Sequence, residues 1–170
     1  VRPEDAAQII KALPRRVKKI GVFVNSRVAT VKRCARLCGL DMVQLHGNES
    51  VRFCRSCRHL HVIKALRVRG AVDPGKFGMY ADYARLLDAY VPGKPGGTGT
   101  VFNWQEAFGG LKIARRGELF LSGGLNARNV PGAIRLIRPD WVDVSSSVES
   151  EPGKKDRRRI KAFIKAVKRS

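Results

Sequence analysis

The feature that most constrains this chain is an alternation of periods. Short apolar, β-branched runs are each followed by a longer stretch whose apolar residues recur at i, i+3, i+4 and i+7. The runs predict strands at Lys19–Val24, Met42–Leu45, His61–Leu66, Ala84–Leu87, Glu118–Leu121 and Trp141–Val144. The stretches between them predict helices at Arg27–Cys38, Ser50–Cys57, Gly75–Tyr83, Trp104–Ala114 and Arg128–Ile137. A further helix opens at Pro3-Glu-Asp, where proline suits the first turn and acids suit the N-terminus. Strands separated by helices call for a parallel sheet, because a parallel crossover needs a dozen or more residues. Both faces of such a sheet are covered, so a run as apolar as Ile20-Gly-Val-Phe-Val24 fits a strand in it. The chain therefore reads as one α/β domain over residues 1–170.

Charge is the second constraint. The 34 Lys and Arg against 14 Asp and Glu leave a net +20, which makes a polyanion an obvious candidate partner. The densest basic stretch, Lys154 to Arg169, has nine basic residues and one acid, Asp156. Yet Ile160, Phe163, Ile164 and Val167 recur there at helical spacing, so it reads as an amphipathic helix with a basic solvent face. No apolar run approaches the ~20 residues of a membrane span, and no signal peptide is visible.

Cys34, Cys38, Cys54 and Cys57 fall within 24 residues as C-x3-C followed by C-x2-C. That spacing can serve a metal. Both pairs also lie in predicted helices, where such spacings put small buried side chains on one face. Core packing is the leading reading; a zinc or iron–sulfur site and a disulfide are the alternatives.

Residues able to do chemistry collect at predicted strand C-termini: Asn25, Gln44 with His46 and Gly47, Lys64, Asp88, Ser122-Gly-Gly124, Ser145-Ser-Ser147 and Glu149. In a barrel those ends share one rim, which is where sites lie. Backbone N–H groups freed by Gly123 and Gly124 ahead of a helix, with donors from the serine turn, suit a phosphate; a plain tight turn is the alternative. Asp88 precedes the Pro/Gly-rich stretch Pro92–Gly99, which reads as an active-site loop. A carboxyl enclosed there would have a raised pKa and could donate a proton near neutral pH. An aspartate that only orients the loop is the alternative.

Taken in order, Gly21-Val-Phe-Val-Asn25, Val43-Gln-Leu-His-Gly47, Leu87-Asp88, Gly96-Gly-Thr-Gly99 with Phe102-Asn-Trp104, Leu121-Ser-Gly-Gly-Leu-Asn126, Val142-Asp-Val-Ser-Ser146 and Val148-Glu149 resemble the phosphoribosylanthranilate isomerase family. The resemblance implies a TIM (βα)8 barrel, of which six of eight βα units are present, the N-terminal strand–helix–strand segment being the missing part. It implies an Amadori rearrangement in tryptophan biosynthesis, with N-(5-phosphoribosyl)anthranilate as small-molecule substrate and neither metal nor organic cofactor. Asp88 matches the family's general acid. Gly123, Gly124, Ser146 and Ser147 match its phosphate site, and Gln44, His46, Asp143 and Gly97 match residues that line or support the pocket.

The family's general base is a cysteine near the N-terminus, and none of the four cysteines here stands at its place. The chain alone is therefore expected to be inactive. Ser147 replaces a usual glycine, which would crowd a phosphate or add a donor. A cytoplasmic setting, no membrane, and fusion to or contact with other tryptophan-pathway enzymes are the remaining expectations. A non-catalytic basic module that holds nucleic acid is the competing reading, disfavoured because charge is less specific than ordered motifs.

Overall fold

The computed structural model describes residues 1–68, 70–89 and 117–170. The predicted helix Trp104–Ala114, the glycine loop and Gly97 lie outside the described residues. The chain divides into two compact units, Val1–Ala65 with Asp82–Ala84, and Leu66–Ala81 with Arg85–Ser170.

In the first unit, α1 (Pro3–Lys11) leads to β1 (Ile20–Phe23), α2 (Val28–Cys38), β2 (Met42–Leu45), α3 (Val51–Ser56) and the opening residues of β3 (His61–Val68). The strands pair in parallel, with Gly21 opposite Val43 and Gln44 opposite Ile63. α2 turns its Val31, Cys34, Ala35 and Cys38 inward and stops at Gly39, whose φ of 59° is a left-handed conformation open to glycine at little cost. Ser50 caps α3 by accepting the Phe53 N–H. β2 is buried throughout, as a parallel strand covered on both faces should be.

The second unit holds the end of β3, α4 (Pro74–Met79), β4 (Ala84–Ala89), β5 (Leu119–Ser122), α5 (Val130–Ile137), β6 (Trp141–Val142), a 3-10 turn (Ser146–Val148), the strands β7 (Glu149–Glu151) and β8 (Lys154–Lys155), and α6 (Arg157–Val167). β4, β5 and β6 pair in parallel, with Leu87 opposite Leu121 and Leu121 opposite Val142. Asp73 accepts the N–H groups of Gly75 and Lys76 to start α4. Phe77, Leu86, Leu87, Leu119, Leu121, Val130 and Ala133 form the interior.

Several sequence boundaries move: β1 narrows to Ile20–Phe23, β5 shifts to Leu119–Ser122, β6 shortens to Trp141–Val142 and α5 opens at Val130, with smaller trims at α2 and α3. β3 runs to Val68 rather than Leu66, and β4 runs to Ala89, so Asp88 is a strand residue and not the first residue beyond one. α4 ends at Met79 instead of Tyr83. Lys154 and Lys155 do not begin the basic helix; they pair antiparallel with β7. The turn glycine Gly153, at φ 82°, makes that hairpin, and Asp156 caps α6 by accepting the Arg158 and Arg159 N–H groups.

Candidate functional site

Beyond the C-terminal ends of β1 and β2, beside the middle of β3, the polar side chains of the first unit meet. Lys64 sits in an apolar strand and is 2% exposed. A lysine there needs three acceptors and a counter-charge. Its Nζ donates to Leu45 O at 3.1 Å, Gly47 O at 2.7 Å and Glu49 Oε2 at 3.0 Å. Glu49, itself 5% exposed, also accepts the Asn25 N–H on Oε1 at 2.7 Å and the Gly47 N–H on Oε2 at 2.9 Å. Burial pushes its carboxyl pKa up, but the N–H groups and the Lys64 ammonium outweigh that and hold it below the ordinary value.

The same loop is tied from β1. Asn25 adopts φ 49°, a left-handed conformation that asparagine tolerates better than most residues. From there its Oδ1 accepts the Asn48 N–H at 2.8 Å. His46 N–H donates to Phe23 O at 2.8 Å. Gln44 is buried in β2, and its Nε2 lies 2.8 Å from His46 Nδ1. The two side chains share a hydrogen bond whose donor and acceptor follow the imidazole tautomer. Gln44 and His46, paired by motif, are therefore brought together by geometry.

In the second unit Asp88 lies half-buried on β4, opposite Ser122 of β5. Ser122 Oγ donates to Asp143 Oδ2 at 3.1 Å. Gly123 and Gly124 follow with φ of 89° and 66°, two successive left-handed residues that L side chains rarely adopt. Leu125 is buried, and Asn126 Oδ1 accepts the Arg128 and Asn129 N–H groups at 2.8 and 3.1 Å. Asn129 returns its amide to Gly124 O at 2.9 Å, which fixes the glycine turn ahead of α5.

The turn after β6 is tethered to the one after β5, because Ser147 Oγ donates to Leu125 O at 2.5 Å. The Ser147 hydroxyl is thus spent within the protein. Among the described residues, none accepts a hydrogen bond from the backbone N–H of Gly123, Gly124, Ser146 or Ser147. Glu149 is held by Lys155 at 2.6 Å and by the Gly153 N–H at 3.1 Å. Lys155 lowers its pKa. Glu149 thus serves the β7–β8 hairpin.

All four cysteines are buried and free. Burial raises the Cys54 thiol to about 11 and also raises Cys57 and Cys38. Cys38 Sγ donates to Pro3 O at 3.3 Å. Among the described residues no group of three or more His, Cys, Asp or Glu side chains could hold a metal ion, and no helix is long and apolar enough to cross a membrane. Sequence reasoning missed Glu49. The signal for it was Lys64: an ammonium between Ile63 and Ala65 in a covered strand demands a buried acid nearby.

Parallel βα units whose polar residues and glycine turns stand at strand C-termini define the class of (βα)-barrel proteins. The family model described as N-(5'phosphoribosyl)anthranilate (PRA) isomerase matches residues 1–166. A relative from Pelobacter propionicus named N-(5'-phosphoribosyl)anthranilate isomerase is 47% identical over 168 residues, spanning 99% of this chain and 78% of its own. One from a Geobacter species with the same name is 44% identical over 171 residues, spanning 99% and 81%. The crystal structure of phosphoribosyl anthranilate isomerase from Thermotoga maritima aligns at TM-score 0.91 and 40% identity over 100% of this chain and 82% of that one. A second crystal structure of such an isomerase, in complex with reduced 1-(o-carboxyphenylamino)-1-deoxyribulose 5-phosphate, aligns at TM-score 0.87 and 38% identity over 100% and 81%. The chain belongs to the N-(5'-phosphoribosyl)anthranilate isomerase family.

Proposed function

We propose that this chain carries the phosphoribosylanthranilate isomerase reaction of tryptophan biosynthesis. N-(5-phosphoribosyl)anthranilate is rearranged to 1-(2-carboxyphenylamino)-1-deoxyribulose 5-phosphate. Asp88 gives a proton to the furanose ring oxygen as the C1–O bond breaks and the anthranilate nitrogen forms an iminium. A base then takes the C2 proton, and the resulting enolamine tautomerises to the ketone. The N–H groups of Gly123, Gly124, Ser146 and Ser147 hold the phosphate, while Gln44, His46 and Asp143 line the pocket. Gly97 is assigned to it by the family resemblance.

The observation that carries this reading is the Gly123-Gly124 turn. Its two left-handed residues stand directly after β5, and among the described residues none accepts from the Gly123 or Gly124 N–H, an arrangement that suits an anion. The cysteines supply no base: all are buried, and three have raised thiol pKa values. A cytoplasmic setting and association with other enzymes of the pathway belong to the same reading.

The test follows loss of the anthranilate adduct's fluorescence. It uses the chain alone and the chain preceded by the N-terminal strand–helix–strand segment of a relative, since this chain spans 78% to 82% of the relatives named above. Turnover is expected in the joined protein, with Asp88→Asn lowering it at least ~10²-fold. A joined protein without turnover overturns the activity. Near-normal turnover in Asp88→Asn overturns the role of Asp88.

A further inference from the structure

We propose that Glu49 and Lys64 are positioning residues for substrate binding: a buried ionic clamp that fixes the loop carrying His46. The inference rests on the reading of His46 and Gln44 as pocket residues given above, and it assigns a purpose to two charges that the proton-transfer chemistry does not use.

The geometry is selective. From Leu45 to Asn48 the clamp and Asn25 take up the polar backbone groups in turn. Lys64 Nζ holds the carbonyls of Leu45 and Gly47, Glu49 holds the Gly47 N–H, and Asn25 Oδ1 holds the Asn48 N–H. The second oxygen of Glu49 holds the Asn25 N–H, so one carboxylate joins the end of β1, the loop after β2 and the side chain from β3. His46 is a half-buried residue of this loop. Its main chain is pinned to Phe23 O and its ring to Gln44, which restrains the orientation of the ring.

A buried pair of opposite charges is a poor device for stability alone, since apolar residues of similar volume often do as well. It is a good device for holding a polar loop in one register. Glu49 reaches Asn25, Gly47 and Lys64 at 2.7, 2.9 and 3.0 Å. An aspartate keeps the charge opposite Lys64 but is one methylene too short to keep all three bonds.

The experiment compares the full chain with Glu49→Asp and with the double variant Glu49→Gln/Lys64→Met, which removes both charges and so avoids an unpaired one. Far-UV circular dichroism identifies the folded variants. Two readouts follow: the Kd for reduced 1-(o-carboxyphenylamino)-1-deoxyribulose 5-phosphate, and the imidazole ¹⁵N shifts of His46. The chain has three histidines, so that signal is assigned by substituting His59 and His61.

In the parent His46 is expected to hold one dominant tautomer. In each folded variant the expectation is a mixture of tautomers and a Kd weakened at least tenfold. Folded variants that bind within twofold of the parent, with His46 unchanged, overturn the clamp and leave a purely structural pair. If the parent fails to bind the ligand, the reading of the pocket fails, and the His46 shifts alone decide whether the clamp positions the ring.

Discussion

Gly47→Ala is the substitution that most directly weighs this loop. A Cβ on Gly47 would lie 2.3 Å from Asn25 Oδ1, 2.7 Å from Asn25 Cγ and 2.7 Å from Glu49 Oε1, distances real Cβ atoms do not tolerate. Side-chain ends usually give way cheaply, but these two are committed. Asn25 Oδ1 must release the Asn48 N–H, and Glu49 Oε1 must release the Asn25 N–H. A neutral hydrogen bond is worth about 1 kcal/mol and one to a charged group about 2. Forcing an extra methyl into packed surroundings costs about 1 to 3 kcal/mol more. The sum is roughly 4 to 6 kcal/mol before relaxation and about 3 to 5 kcal/mol after it, a large share of the ~5 to 15 kcal/mol that holds a domain folded. Urea denaturation followed by far-UV circular dichroism reads it; with a slope of about 1 to 3 kcal/mol per molar, the midpoint falls by at least ~1 M. In an Asn25→Ala background the nearest clash is gone, so the same substitution should cost at least ~1 kcal/mol less. A loss below ~1 kcal/mol in the parent, or full additivity with Asn25→Ala, would refute the committed-acceptor argument.

Three further outcomes follow from other parts of the molecule. Gly78→Ala and Gly132→Ala place a methyl in open space within α4 and α5, so each should raise stability by about 0.4 to 1 kcal/mol in the same urea assay. The thiol of Cys54, raised to about 11, should resist a disulfide exchange reagent at pH 8, as should Cys57 and Cys38; all four cysteines should react promptly once the chain is unfolded. The N–H groups of Arg159 and Arg158 hold the Asp156 carboxyl below its ordinary value. Its contribution is fully present above the ordinary aspartate range near ~4 and is lost as pH falls through the depressed native value. Helicity of α6 should fall over that window in the parent, while Asp156→Asn should show a flatter acid profile by circular dichroism.

How far such features could be read beforehand depends on whether they are local. For β1 to β6 and the helices between them among the described residues, element type and order were legible, because period in the sequence maps directly onto strand or helix: Met42–Leu45 and the helix ending at Cys38 lie where the pattern puts them. Boundaries set by pairing were not. Asp88 breaks an apolar run and so reads as the first residue past a strand, yet the partner β5 extends the ladder to Ser122 and keeps Asp88 within β4. Lys154 and Lys155 carry the charge of the helix that follows them, and only the turn at Gly153 and the pairing with Glu149 and Glu151 make them a strand.

The same distinction separates the two halves of the candidate site. The glycine turn announces itself, because Ser-Gly-Gly before a helix requires backbone conformations that few other sequences can adopt. The clamp is only half announced: Lys64 in an apolar strand calls for an acid, but which acid answers appears only when β3 is set parallel to β2 with Leu45 opposite Lys64. That register brings the ammonium to the end of β2, and the carboxylate four residues after Leu45 then becomes the nearest counter-charge. A buried lysine in a predicted parallel strand is therefore best read as a request for an acid just beyond the end of the neighbouring strand. Glu49 meets that request here with a side chain 2% exposed.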